Sequence, residues 1–425
     1  MPTIRPFRGL RYNPDVAGDI SKIVAPPYDI IYNEWLENLY NRSPYNIIRL
    51  IKTREEPGDN NTSDKYKRAA NYLESWIRDG VLKMDEEPVI YLRTDTYEVN
   101  GEKKTRYGFI ALLKIEEFGN NIHPHERTLS APRIDRLNLV KATSANLSQI
   151  FSVFRDPRNE IQELLLKAAE SQPDVCFTDE QGILRKMWAV KDTEIVSELQ
   201  ESIKGHDIII ADGHHRYETA LNYKSLMESE RQSDEEPFDY VSMYFSSADD
   251  SGLTIFPTHR KVSGVSTYNQ RVFFSELSKL FEVTYLGEAD PYDVMEMIAK
   301  DSEHNNIFGV YTSDGFGTAR MRNPAVPKEL DVDILHNIII EKLLGISREA
   351  VESGCNVHFC KSPEHAVEDV KNINDQISFI MNAMRPEELF RKVLKGARMP
   401  QKSTYFYPKT MSGLVMYKID KKSLG

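Results

Sequence analysis

The sequence predicts a mixed fold, α/β with α+β character, and three stretches carry that prediction. In residues 205 to 220 an apolar run, Ile208-Ile209-Ile210-Ala211, reads as a short buried strand. Asp212-Gly213 punctuates the run, and Tyr217, Ala220, Leu221, Leu226 and Met227 then recur at helical spacing. Residues 88 to 117 alternate as strands do about Asn100-Gly101, a pair suited to a tight hairpin turn. Residues 62 to 80 place Tyr66, Ala69, Ala70, Leu73, Trp76 and Ile77 on one helical face.

A chain of 425 residues is long enough for two or three domains, each with its own core. The net charge of -11 argues against a general nucleic-acid binder. Apolar runs stay short of membrane-spanning length and the first residues lack a secretory apolar region, so a cytoplasmic protein without a membrane partner is expected. Cys176, Cys355 and Cys360 are too few for a disulfide framework and too poor a set for zinc.

Taken in order, the chain opens with short apolar and proline-rich segments. Ala25-Pro26-Pro27-Tyr28-Asp29 stops a strand and stiffens a loop, which either fixes Asp29 for chemistry or makes it the cap of a helix over 32–40. After the hairpin, His123-Pro124-His125-Glu126-Arg127-Thr128 puts two histidines on one face of an extended segment. With an acid they could hold a metal, with Arg127 a phosphate, or they could be a polar loop before a helix from about 133. That helix carries Arg133, Asp135, Arg136, Asn138 and Lys141. A helix over 158–170, strands around Gln181-Gly182 and a helix over 192–203 lead into the central stretch.

There, a strand feeding a glycine turn and then a helix aims backbone N–H groups and a positive helix end at one point, which suits a phosphate. Arg216 could clamp it, and Asp212 could hold a metal ion; the plainer alternative is a helix cap with surface histidines. Phe238 to Ser247 reads as a buried strand, Leu253 to Phe256 as its continuation, and Thr258-His259-Arg260 as a polar end. The texture changes near 262 to 268. Beyond it come a helix (272–281), a strand (282–286), a helix (291–300), strands (306–312 and 317–322), a long helix (331–344) and a helix (385–395). In the tail, Lys402-Ser403-Thr404 looks like the end of a P-loop but lacks the upstream glycine, so it is either an aromatic edge strand or a lysine reaching the Asp212 turn.

Ala25-Pro26-Pro27-Tyr28-Asp29, His123 to Thr128, Asp212-Gly213-His214-His215-Arg216-Tyr217 and Met399-Pro400-Gln401-Lys402-Ser403-Thr404 together resemble a family catalogued as domain of unknown function 1015, over nearly the whole length. Asp212 to Arg216 also looks like the phosphate motif of the ParB/sulfiredoxin-like superfamily, which includes nucleotide-dependent DNA clamps, sulfiredoxins and free-serine kinases. The resemblance implies a ParB/sulfiredoxin-like core over 1–262, split by a β-rich insertion at about 85–160, and a C-terminal α/β domain over 263–425 whose tail, 397–409, returns to the site. It implies a nucleotide-dependent phosphotransferase acting on a small hydroxyl metabolite, free serine leading, with ATP or ADP and Mg2+. Gly213, His214, His215 and Arg216, with Glu126, Arg127, Thr128, Lys402, Ser403 and Thr404, would contact phosphates. Asp212 would bind Mg2+ or orient the hydroxyl, and Asp29 would act beside it, with Glu34 an alternative by position only. A long insertion and the lack of a basic helix-turn-helix separate the chain from DNA clamps. The alternatives are a nucleotide-binding switch or hydrolase without a metabolite acceptor, and a scaffold. A homodimer is a possible assembly.

Overall fold

The computed structural model describes the chain except residues 60–62, 127–129, 266–267, 326–328, 369, 371–376 and 401. It is a mixed α/β protein of two compact units. The first comprises Met1–Pro124, Thr128–Thr254 and Pro408–Gly425, and the second His125–Arg127 and Ile255–Tyr407.

The first unit is built on a large mixed sheet. Its strands are β1 (Ile4–Arg5), β2 (Ile90–Val99), β3 (Glu102–Lys114), β4 (Ile122–Pro124), β5 (Ile150–Phe154), β6 (Val175–Thr178), β7 (Leu184–Val190), β8 (Ile208–Asp212) and β9 (Tyr240–Ser247). They lie in the order β4-β8-β5-β9-β3-β2-β7-β6, with β1 added beside β3. Only β4/β8 and β5/β9 run parallel among the described pairs. The predicted hairpin is β2–β3: Asn100 and Gly101 both adopt positive φ (53° and 76°), as a two-residue turn between twisted strands requires.

One face of the sheet is apolar. Leu92, Phe109, Ala111, Ile208, Ile210 and Phe245 are buried there against α3 (Glu160–Ala168), α4 (Thr193–Ile203) and α5 (His214–Met227). A second apolar cluster gathers the amphipathic helix α1 (Asp64–Arg78), through Ala69, Leu73 and Trp76, with Leu139 of α2 (Ser130–Thr143) and with Met416. The last residues close on the first: Arg8 N donates to Ser423 O (2.9 Å), Leu10 bridges Met416, and Ala25 bridges Ser412.

The second unit carries an antiparallel sheet of β10 (His259–Val262), β11 (Phe281–Gly287), β12 (Ile307–Thr312), β13 (Gly315–Met321), β14 (Val357–Cys360) and β15 (Ile377–Ile380), in the order β11-β13-β12-β15-β10-β14. The stretch 258–260, expected as a polar end, instead leads into a buried interior strand, with His259 and Arg260 hidden from solvent. The long helix expected over 331–344 begins as an α-turn, Asp331–Ile334, and continues over Leu335–Leu343 as a π-helix. The apolar spacing gave no sign of that wider winding.

Candidate functional site

The strand–turn–helix at 208–227 forms as the residues dictate. Three isoleucines bury β8 completely, and Gly213 takes the left-handed conformation (φ 94°) that starts α5. Gly213 O accepts from Arg216 N (2.9 Å) and Tyr217 N (3.1 Å). The glycine is needed for space as well as for its backbone: a Cβ there would lie 2.7 Å from Arg216 Nε. Arg216 thus folds back over its own turn. Its Nη2 donates to Asp212 Oδ2 at 2.6 Å and its Nη1 to the carbonyl of Gln149, while Nε is buried without a partner. Gly213→Ala should cost about 1–2 kcal/mol from the left-handed backbone alone. Displacing Arg216 adds to that, and a lowered urea midpoint would register both.

Asp212 does not cap the helix. Its Oδ1 accepts from Lys409 Nζ at 3.2 Å, so two cations share one carboxylate. Burial pushes the Asp212 carboxyl up, but Lys409, Arg216 and His214 outweigh it and hold it well below the usual carboxylate range. The lysine that meets Asp212 is Lys409. Lys409 O in turn accepts from Arg185 Nη1 (3.3 Å).

Arg185 belongs to a buried charge cluster that the sequence did not reveal. Asp95 sits opposite Arg185 on β7 and opposite Arg106 on β3, with Arg93 two residues away on its own strand. Asp95 accepts from Arg185 Nη1 (2.8 Å), Arg93 Nη2 (2.9 Å) and Arg106 Nη2 (2.7 Å), and Asp179 takes the other side of Arg185. All three guanidiniums are buried, with Arg93 and Arg106 against the Tyr244 ring.

Around the same turn lie residues of the N-terminal loop. Pro26-Pro27 lead into a tight turn, Tyr28–Ile30, and Arg136 of α2 stacks on the Tyr28 ring at 3.9 Å. Burial raises the Tyr28 hydroxyl, and Arg136 and Arg216 oppose that shift. Asp29 Oδ1 is buried without a hydrogen-bond partner. Tyr28, Arg136, Ser148, Arg216 and Thr219 line a small cavity of about 50 Å³. Glu34 is exposed in the first turn of the helix Asn33–Arg42.

The other candidates cluster within the second unit. His125 is buried, with Nε2 2.8 Å from Thr404 Oγ1, and Glu126 Oε1 accepts from Ser403 N (3.1 Å). Met399 N donates to His125 O (2.8 Å), and Lys402 takes a positive φ of 57° with its carbonyl accepting from Arg260 Nη2 (3.2 Å). His123 turns elsewhere, to Asp207 Oδ1 at 2.8 Å, so the two histidines have separate partners. Arg127, Thr128 and Gln401 lie outside the described residues.

Among solved structures, the chain is similar to free serine kinase in complex with AMP (14% identity, 67% of this chain and 83% of that one, TM-score 0.34). It is also similar to a mutant of free serine kinase in complex with ADP (13% identity, 67% and 84%, TM-score 0.34). A third similar structure is a conserved hypothetical protein from Pyrococcus furiosus (14% identity, 67% and 87%, TM-score 0.32). No curated protein sequence matches the chain. Residues 4–333 match the family described as protein of unknown function, DUF1015, and with most of its length so matched the chain belongs to that family.

Proposed function

We propose that the first unit is a nucleotide-dependent phosphotransferase with a ParB/sulfiredoxin-like phosphate turn, transferring a phosphoryl group to a small hydroxyl metabolite such as free serine. The observation that carries the reading is the turn itself. Arg216 and Lys409 converge on the single carboxylate of Asp212 at the start of a fourteen-residue helix. A first helical turn has N–H groups with no acceptor inside the helix, and its dipole favours an anion. The buried Nε of Arg216 is a donor still lacking an acceptor, as a phosphate oxygen would supply.

In this reading the acceptor's hydroxyl oxygen forms the new P–O bond as the terminal phosphoanhydride bond of ATP or ADP breaks. The hydroxyl proton passes to Asp29 Oδ1, a buried acceptor without a partner. Charge developing on the leaving oxygen is neutralised by Arg216 and Lys409. A protein-held Mg2+ on Asp212 does not fit this arrangement. Both Asp212 oxygens are taken by cations, and among the described residues no group of three or more His, Cys, Asp or Glu is placed to hold a metal. The phosphate roles of Glu126, Arg127, Thr128, Lys402, Ser403 and Thr404 form a separate part of the proposal. It is tested by whether Lys402→Ala or Thr404→Val alters nucleotide affinity.

Arg216→Ala should weaken ATP or ADP binding by about 1.5–3 kcal/mol, the range for a hydrogen bond to a charged group. Asp29→Asn should keep that affinity and lose transfer. Calorimetry gives the first, and 31P NMR with serine as acceptor the second. Inorganic phosphate as the sole product would replace the kinase with a hydrolase, and unchanged affinity in folded Arg216→Ala would remove the site.

A further inference from the structure

The second unit holds a cavity of about 180 Å³ that has no part in the chemistry above. It lies along the π-helix Leu335–Leu343, a winding that is rare in long runs and frequent at functional sites. Ile340, Ile346, Val351, Phe359 and Met399 make its apolar side. Its volume is comparable to a cavity of ~150 Å³ that accepts benzene.

The polar side has a definite sense. Two carboxylates line it, and both are neutralised: Asp333 by Lys392 at 2.7 Å and Glu341 by Arg348 at 3.2 Å. The remaining groups are donors. Arg260 Nε points to His336 Nε2 (3.4 Å), so that nitrogen accepts and the ring's own proton sits on Nδ1. His336 is 8% exposed, and burial, reinforced by Arg260 and Arg348, holds it down at about 3, neutral at ordinary pH. Asn337 spends its oxygen on Arg348 (3.2 Å), which leaves its NH2. Arg398, exposed on the rim, has no carboxylate partner among the described residues. Behind His336, the buried Arg260 is satisfied by the carbonyls of Thr258 and Lys402 rather than by an ion pair.

We propose that this cavity is a second ligand site, for a small monocarboxylate with a branched or aromatic body, held by Arg398, Asn337 and His336 over the apolar side. One carboxylate suits one guanidinium fork and two neutral donors. A phosphate dianion would exceed the one positive charge, Arg398, that the lining does not already spend on a carboxylate.

The test is calorimetric titration of the full chain with benzoate and with 4-methylpentanoate, with benzamide as the uncharged counterpart. Saturable benzoate binding with a sub-millimolar Kd is expected. Arg398→Ala, a change at an exposed side chain, should weaken it about tenfold or more, the loss of one charged hydrogen bond. Val351→Trp, which fills the cavity, should abolish it in a protein whose circular dichroism is unchanged. Absence of saturation by either carboxylate up to roughly 10 mM, where binding is worth under ~3 kcal/mol, overturns the proposal. So does benzamide binding as tightly as benzoate, or an affinity unmoved by Arg398→Ala. No nucleotide enters the titration, so the outcome is independent of the phosphotransfer reading.

Discussion

Asp95→Ala should destabilise the first unit by about 3–5 kcal/mol, the cost of removing one partner from a buried ion pair. Asp95 is the shared acceptor of Arg93, Arg106 and Arg185, and without it Asp179, which meets Arg185 alone, is the ion-pair partner that remains among the described residues. Arg93 Nη1, Arg106 Nε and Arg106 Nη1 already lack hydrogen-bond partners, so losing Asp95 adds to donors that are already unmet. Against a typical total of about 5–15 kcal/mol, such a loss brings the unit near its unfolding limit. Urea denaturation followed by tryptophan fluorescence measures it, and a midpoint equal to that of the native protein would refute the account. The same substitution should loosen Lys409, whose carbonyl Arg185 holds, so any residual folded protein should also bind nucleotide less well.

Acid should destabilise the second unit long before its carboxylates titrate. Burial holds His259 down at about 4 and His336 at about 3, with Arg260 adding to both shifts and Glu364 partly opposing the first. In the unfolded chain both titrate near 6.5. Between those values the unfolded state binds more protons, so stability is full above about pH 6.5 and falls as pH drops. The loss levels off once pH passes below each folded value. Lowering pH from 7 to 5 should remove roughly 3–4 kcal/mol from the two residues together. Urea midpoints across that range measure it, and His336→Asn should flatten about half of the slope. A slope identical in His336→Asn and native protein would mean that this ring is not held neutral.

The elements that could be read from the sequence are those where local chemistry and burial agree. Three consecutive isoleucines before Asp212-Gly213 leave little but a buried strand and a turn, and Asn100-Gly101 leaves little but a hairpin. The strand–turn–helix at Asp212 was legible for the same reason, because its parts are neighbours in the chain. Lys409 was not, since its contact with Asp212 spans 197 residues and no spacing rule reaches that far. Nor was the Asp95 cluster. Period-two alternation shows that Arg93 and Asp95 share a face of β2, but a charged face ordinarily reads as the solvent side, and here it is interior. The same inference read His259 and Arg260 as a polar strand end, whereas they lie buried in a strand paired on both sides. The π-winding of Leu335–Leu343 was hidden because an apolar run suits any helical pitch.

The pairing of residues 8, 10 and 25 with 412–423 bears on how the first unit is made. Residues 7–13 pair first with 81–89, but Arg8, Leu10 and Ala25 also find partners at 412–423, and Lys409 arrives with that same segment. During synthesis the great sheet can pair early, but the bridges to Leu10 and Ala25 and the second cation of the Asp212 turn must wait until nearly the whole second unit has left the ribosome. Contacts of such long sequence separation are the slow ones. The second unit, nearly contiguous from 255 to 407, can mature first, while the catalytic candidate stays open until the final stretch docks. Assembly of the Asp212 turn is thereby tied to synthesis of the segment that carries residue 409, and nascent fragments ending before it hold the Asp212–Arg216 pair without its second cation.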